Sequence, residues 1–169
     1  MAPPAREVGR TLAKSPFRCR LRQGAALLLA AAWLTAAFTK VAEWSWFVSI
    51  VRAHGIVAEG WRSWLWLIPV AELGAGLCLG WAAAPDSRKT ARLAALFSAG
   101  LLGGLTAYIL LVPEAVLTRY GCGCFGRTAE RLLGGISWQG RTAGVSINLA
   151  LMLLHFPLVF CGGCIEERT

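Results

Sequence analysis

Two cysteines separated by one residue are the part of this sequence best suited to chemistry. Cys122 and Cys124 lie in the string Gly-Cys-Gly-Cys-Phe-Gly at residues 121–126. A disulfide between cysteines this close would close a small ring that departs from relaxed geometry, so that it is easily reopened. The flanking glycines permit the required backbone angles and leave the sulfurs open to another protein. The string therefore predicts thiol–disulfide exchange. A static surface disulfide and two buried thiols are the alternatives.

Two arginines and a second cysteine pair accompany this string. Arg119 and Arg127 flank it, and their positive charge would favour the thiolate form. Cys161 and Cys164 have the spacing of redox-active dithiols. They are either a cytoplasmic dithiol that supplies electrons or, as we favour, reduced or lipidated thiols in a tail. The helix between the pairs is about 28 Å long, so one shared zinc site is not expected, and we predict no metal.

The composition indicates a membrane protein. Hydrophobic residues make up 56% of the 169 residues and charged residues 15%, against about 25% charged in soluble domains. The net charge of +8 is concentrated before the first apolar run, where six Lys and Arg residues lie. Such a flank stays in the cytoplasm and contacts anionic lipid. The bilayer, rather than a nucleic acid, is the predicted partner of the basic residues.

The apolar runs predict an all-α membrane protein, a bundle of four transmembrane helices with a short interfacial helix between spans 1 and 2. The spans are expected at 21–42, 64–84, 93–113 and 142–160, and the interfacial helix within the tryptophan-rich stretch 43–62. Small-residue pairs at Gly76/Gly80 and Gly100/Gly104 predict close helix packing. We divide the chain into a basic cytoplasmic arm (1–22), a membrane domain (23–160) and a cytoplasmic tail (161–169).

Four spans place both termini on one side of the membrane. Lys and Arg are somewhat more frequent in the segments on that side, which predicts that both termini are cytoplasmic. The expected location is the inner membrane, with several spans. Cys122 and Cys124 would then lie on the extracytoplasmic side, where disulfides persist.

Polar residues inside the predicted spans are the remaining candidates for a site. Glu72 lies about 12 Å inside its helix, where a charge must be paired or functional. An ion pair with Lys40 is our first interpretation, and a proton relay or a contact to a quinone is the second. Asn148 and His155 are seven residues apart and share a helix face, which predicts hydrogen bonds between helices.

The cysteine string, between the third and fourth spans, resembles that of the MauE family, small membrane proteins related to DoxX. Thr39-Lys40 at the end of the first span, the Pro69–Gly74 stretch with Glu72, and Asn148 in the fourth span are similar to family positions. The resemblance covers roughly residues 24–160. The basic arm and the Cys161-Gly-Gly-Cys164 ending are not part of that pattern.

The resemblance implies a four-helix membrane protein associated with redox reactions. It would be a membrane thiol–disulfide oxidoreductase itself or would assist one. MauE itself is linked to maturation of a disulfide-rich periplasmic dehydrogenase next to a thioredoxin-like partner, so a periplasmic thioredoxin-like or substrate protein is the expected partner. The architecture also resembles quinone-linked disulfide-forming membrane proteins, which makes a membrane quinone the candidate cofactor. The alternative function is a non-catalytic accessory subunit within a larger membrane complex.

Overall fold

The structure, a computed structural model, describes residues 16–84, 88–123 and 140–160, and within these ranges it is helical and contains no strand. The predicted site residues Cys124, Arg127, Cys161 and Cys164 lie outside them. Seven α-helices are described: α1 Pro16–Ala42, α2 Trp44–His54, α3 Leu67–Ala82, α4 Arg88–Leu111, α5 Glu114–Tyr120, α6 Arg141–Leu153 and α7 Phe156–Phe160. A 3₁₀ helix, Glu59–Trp64, precedes α3.

Four stretches of helix are long and apolar enough to cross a membrane. They are Cys19–Ala42, Glu59–Ala82, Lys89–Leu111 and Arg141–Phe160. Their outward faces carry large exposed side chains, among them Leu77, Leu96 and Leu153. Contiguous apolar surface of this kind suits lipid and not water. The predicted fold, an all-α bundle of four transmembrane helices with a short helix between spans 1 and 2, is confirmed.

The first span is the most buried of the four and packs most closely on α3. The buried core consists mainly of alanine and leucine from α1, α3 and α4, including Leu29, Leu79 and Leu102. A Cβ built on Gly76 would lie 2.8 Å from Leu34 Cγ and 3.2 Å from the Ala30 carbonyl oxygen. Only glycine permits this approach between α1 and α3.

The other glycines of the two predicted pairs do not pack in this way. A Cβ on Gly80, Gly100 or Gly104 would meet no atom of the described residues within 4 Å. The prediction of close packing is therefore right for Gly76 and wrong for these three. They lie on exposed faces of α3 and α4 and leave space beside the bundle.

Two boundaries differ from the sequence-based expectation. The first helix begins at Pro16, inside the predicted arm, and Arg22 is buried with Nη2 donating to the Ala84 carbonyl at 3.2 Å. The fourth span is interrupted at residues 154–155, between α6 and α7. Pro157 follows directly, and because it has no N–H it cannot donate to the Leu153 carbonyl.

Cys122 and the start of α1 lie at opposite ends of the bundle. At one end Arg22 contacts the residue that follows α3. At the other end α2, which follows α1, packs against the segment that carries Cys122, since a Cβ on Gly123 would lie 3.2 Å from Ile50 Cγ2. We call this second end the cysteine end.

Candidate thiol site

Two glycines in the left-handed region fix the backbone on either side of Cys122. Gly121 has φ +75° and Gly123 has φ +68°. A side chain at either position would be strained, because Cβ then collides with the backbone. The Gly121 N–H donates to the Leu117 carbonyl at 2.8 Å and ends α5. Gly121 and Gly123 therefore have unusual backbone angles, as predicted for the glycines of the string, and Gly126 lies outside the described residues.

Cys122 lies where the ends of α4, α5 and α6 meet. Its side chain is half-buried and packs against an apolar cluster, and its Cβ would be 3.8 Å from a Cβ on Gly144 of α6. The cluster consists of Tyr108, Ile109, Val112, Val116, Leu117 and Val145. The thiol is therefore held in place by packing while part of it stays exposed.

His54, the last residue of α2, joins this segment to two helices. It is 3% exposed. Its Nε2 lies 3.1 Å from the Gly121 carbonyl oxygen and its Nδ1 lies 2.7 Å from the Tyr108 hydroxyl. A carbonyl only accepts, so Nε2 carries the proton and Tyr108 donates to Nδ1. We call His54, Tyr108 and Gly121 the His54 bridge.

Burial sets the charge of the His54 ring. Desolvation lowers its pKa from the ordinary value of 6.5, and the hydrogen bond to Gly121 opposes this only in part. The ring is therefore neutral at pH 7. The sequence alone predicts no role for His54. The signal that could have found it is a histidine at the end of an amphipathic helix, followed at once by a glycine, Gly55.

A second connection lies on the other side of the cysteine string. The Arg141 backbone N–H donates to Glu114 Oε1 at 3.1 Å, and Arg141 Nη2 donates to the Val112 carbonyl at 2.8 Å. These bonds join the first residue of α6 to the start of α5 and the end of α4. The sequence does not predict this pair, because the partners are 27 residues apart.

Arg119 has an aromatic partner. Its guanidinium carbon lies 5.4 Å from the centre of the Tyr120 ring, and the side chain is exposed. A cation over an aromatic face at an exposed site gains about 0.5–1 kcal/mol. The effect that the sequence analysis assigned to Arg119, stabilisation of a thiolate, stays a prediction.

The ion pair expected between Lys40 and Glu72 is present inside the bundle. Lys40 Nζ lies 2.8 Å from Glu72 Oε1, and both side chains are 3% exposed. Among the described residues Glu72 Oε2 has no hydrogen-bond partner. Asn148, also buried, donates from Nδ2 to Thr106 Oγ1 at 3.0 Å and so joins α6 to α4.

A neutral hydrogen-bond chain crosses the bundle nearer its other end. Trp33 Nε1 donates to Ser98 Oγ at 2.6 Å, and Ser98 Oγ lies 2.8 Å from His155 Nε2. His155 Nδ1 donates to the Leu151 carbonyl at 2.9 Å. Nε2 is therefore the acceptor, and the Ser98 hydroxyl donates to it. Asn148 and His155 both bond to α4, as their shared helix face predicted.

Within the three described ranges, no group of three or more His, Cys, Asp or Glu side chains could hold a metal ion. The chemistry that these ranges offer is a positioned thiol at the cysteine end and a buried carboxylate one to two turns inside α3. The neutral ring of His54 bonds to the carbonyl of Gly121, the residue that precedes Cys122.

Fold and site together define a polytopic α-helical membrane protein with a glycine-flanked cysteine at one end of the bundle. The chain belongs to the MauE family: the family model described as methylamine utilisation protein MauE matches residues 19–162. This confirms the MauE part of the predicted resemblance, and the link to DoxX stays a prediction. Searches of curated proteins and of solved structures each returned no match.

Proposed function

We propose that this MauE-family membrane protein takes part in thiol–disulfide exchange on the extracytoplasmic side, through Cys122 and Cys124. The observation that carries the proposal is the way Cys122 is held. Two glycines with positive φ and the His54 bridge fix its backbone, while the side chain is only half-buried. Glycine adopts these angles without strain, so the chain can turn on both sides of Cys122 and leave part of its side chain accessible.

The exchange balances between the cysteine pair and a partner dithiol. A partner thiolate attacks the Cys122–Cys124 disulfide, and a mixed disulfide forms. The second partner thiol then displaces it, so that the partner is oxidised by two electrons and the Cys122/Cys124 pair is reduced. A membrane quinone is the proposed acceptor that takes two electrons and two protons from the reduced pair. The proposed partner is a thioredoxin-like or substrate protein that presents two thiols to the pair.

Trapping in intact cells tests this function. In the variant Cys122→Ser the Cys124 thiolate can still attack the disulfide of the oxidised partner, which releases one partner thiol, but the residue that would release the partner from Cys124 is missing. A mixed disulfide at Cys124 should therefore accumulate and disappear on reduction. The matched control is Cys78→Ser, because Cys78 is an exposed cysteine of α3 far along the chain from the pair. It should accumulate no adduct.

The same cells distinguish exchange from the accessory-subunit alternative. In the unsubstituted protein the pair should change between reduced and oxidised when the extracytoplasmic oxidant is removed. A redox state that never changes, together with no adduct in Cys122→Ser, would contradict exchange and favour the accessory subunit.

A further inference from the structure

One carboxylate oxygen in the middle of the bundle lacks a donor among the described residues. Glu72 uses Oε1 for Lys40, while Oε2 is buried and has no hydrogen-bond partner there. A buried charged group with an unsatisfied acceptor loses the free energy of hydration without compensation. The site is therefore suited to a molecule that brings a hydrogen-bond donor.

A groove leads from the membrane side of the bundle to Glu72. It lies between α3 and α4, has a volume of about 280 Å³, and reaches Glu72 and Trp33. Its apolar lining comes from Leu67, Ile68, Ala71, Leu101 and Leu105. The Trp33 indole N–H already donates to Ser98. Glu72 is thus the polar group available to a molecule in the groove.

Two glycines keep the groove open. Gly100 and Gly104 of α4 line it, both are exposed, and in the part of the chain that the structure describes a Cβ on either would meet no atom within 4 Å. Since α3 and α4 belong to the second and third spans, their outer faces meet acyl chains and not water. An occupant would enter from the bilayer and must be apolar apart from its donor.

We propose that this groove binds the hydroquinone form of a lipid-soluble electron carrier, with a ring hydroxyl directed to Glu72 Oε2 and the tail along Gly100 and Gly104. The choice of a hydroquinone rests on the proposed function, because oxidation of thiols at the membrane yields a reduced carrier that bears hydroxyl donors. The volume of about 280 Å³ is just below the range of roughly 300–1,000 Å³ for small-molecule sites. It suits one ring better than a two-chain lipid.

Direct binding tests the groove without any thiol chemistry. The double variant Cys122→Ser/Cys124→Ser, in lipid nanodiscs, is titrated with decylhydroquinone and, separately, with its dimethyl ether, which has the same ring and tail but no donor. The hydroquinone should bind at least about tenfold more tightly, as expected for one hydrogen bond to a charged acceptor. Equal affinities would overturn the proposal.

Two further variants locate the site. In the same background Gly104→Leu places a side chain in the groove and should abolish binding. Gly80→Leu is the matched control, because Gly80 is also an exposed membrane-span glycine with open space around it but does not line the groove. Glu72→Gln should reduce the preference for hydroquinone over the ether. Equal affinity in Gly104→Leu and Gly80→Leu would overturn the assignment, even if Glu72→Gln fails to fold.

The outcome is independent of the trapping experiment. Loss of hydroquinone binding leaves the mixed disulfide at Cys124 unaffected, and absence of a mixed disulfide leaves binding in the cysteine-free background unaffected. Dioleoylglycerol serves as the competitor, since its single alcohol is also a donor. If it displaces the hydroquinone at equal concentration, the groove is a site for ordinary lipid and the proposal is wrong.

Discussion

Both histidines of the chain are buried, and each contacts one hydroxyl group and one backbone carbonyl, yet they hold different parts of the molecule. His155 contacts Ser98 and the carbonyl of Leu151, four residues earlier in its own segment. His54 contacts Tyr108 and the carbonyl of Gly121, 67 residues away. Both hydroxyl groups belong to α4. The two histidines make the same kinds of hydrogen bond. They differ in the position of the carbonyl, which for His155 is in its own segment and for His54 is next to Cys122.

This difference separates the scaffold from the site. The His155 chain includes Trp33 and so connects spans 1, 3 and 4 in the hydrocarbon region, where an unsatisfied polar group is costly. The His54 bridge instead connects an interfacial helix to the residue next to Cys122. We expect loss of the His155 contacts to lower the stability of the whole bundle. Loss of the His54 contacts should chiefly increase the exposure of the Cys122 thiol.

The largest effect is expected from Ser98→Ala. Its hydroxyl accepts from Trp33 and donates to His155, so its removal leaves two buried ring nitrogens without a partner. We expect a loss of about 1–3 kcal/mol in the free energy of unfolding, measured by denaturant titration in mixed micelles.

The control for this experiment is Ser49→Ala, because the Ser49 hydroxyl is exposed and bonds only to the Trp46 carbonyl of its own helix. It should change the free energy of unfolding by less than about 0.5 kcal/mol. If Ser98→Ala were as stable as Ser49→Ala, the Trp33–Ser98–His155 chain would not be part of the scaffold.

A smaller and local effect is expected at the His54 bridge. Tyr108→Phe removes the donor to His54 Nδ1 but keeps the ring, and His54→Leu removes both contacts. A lost hydrogen bond of about 1 kcal/mol makes local opening roughly fivefold more frequent. Alkylation of Cys122 should therefore accelerate about fivefold in Tyr108→Phe and more in His54→Leu. Mass spectrometry of the tryptic peptide 120–127 measures it.

Arg52→Gln is the matched control for the bridge, since Arg52 is an exposed residue in the same helix turn as His54. Its alkylation rate at Cys122 should equal that of the unsubstituted protein. The free energy of unfolding should fall less in Tyr108→Phe than in Ser98→Ala. Equal destabilisation by the two substitutions would remove the distinction between scaffold and site.

The sequence was sufficient for the scaffold and insufficient for most of the site. A long apolar segment in lipid must form a helix, because only a helix satisfies its backbone hydrogen bonds internally. The number of spans and their order could therefore be predicted from the apolar runs. The Lys40–Glu72 pair also followed, because a charge at that depth requires a partner. The contact between His54 and Gly121 could not be predicted, since the two residues are 67 positions apart and no local sequence pattern relates them. The prediction of close packing at Gly100 and Gly104 was wrong, because the spacing of two glycines does not show whether another helix lies beside them.

The smallest effect, and the most specific, is a dependence of the bridge on pH. Burial lowers the pKa of His54 below its ordinary value of 6.5, so the unfolded chain binds more protons than the folded one as pH falls through this range. The stabilisation by neutral His54 is therefore complete above about pH 6.5 and is lost as the pH falls towards the lowered pKa of the folded state.

The alkylation rate of Cys122 in the unsubstituted protein, divided by the rate in His54→Leu at the same pH, isolates this dependence. The thiolate fraction falls with pH in both proteins and cancels in the ratio, provided that the Cys122 thiol titrates alike in them. We expect a constant ratio well below one above about pH 6.5, because the bridge protects the thiol only where His54 is present. Below that pH the ratio should rise towards one, since a charged ring in this buried position no longer holds Gly121. A ratio that stays constant through acid pH would mean that His54 does not control the exposure of Cys122, and the two histidines would then have the same structural role.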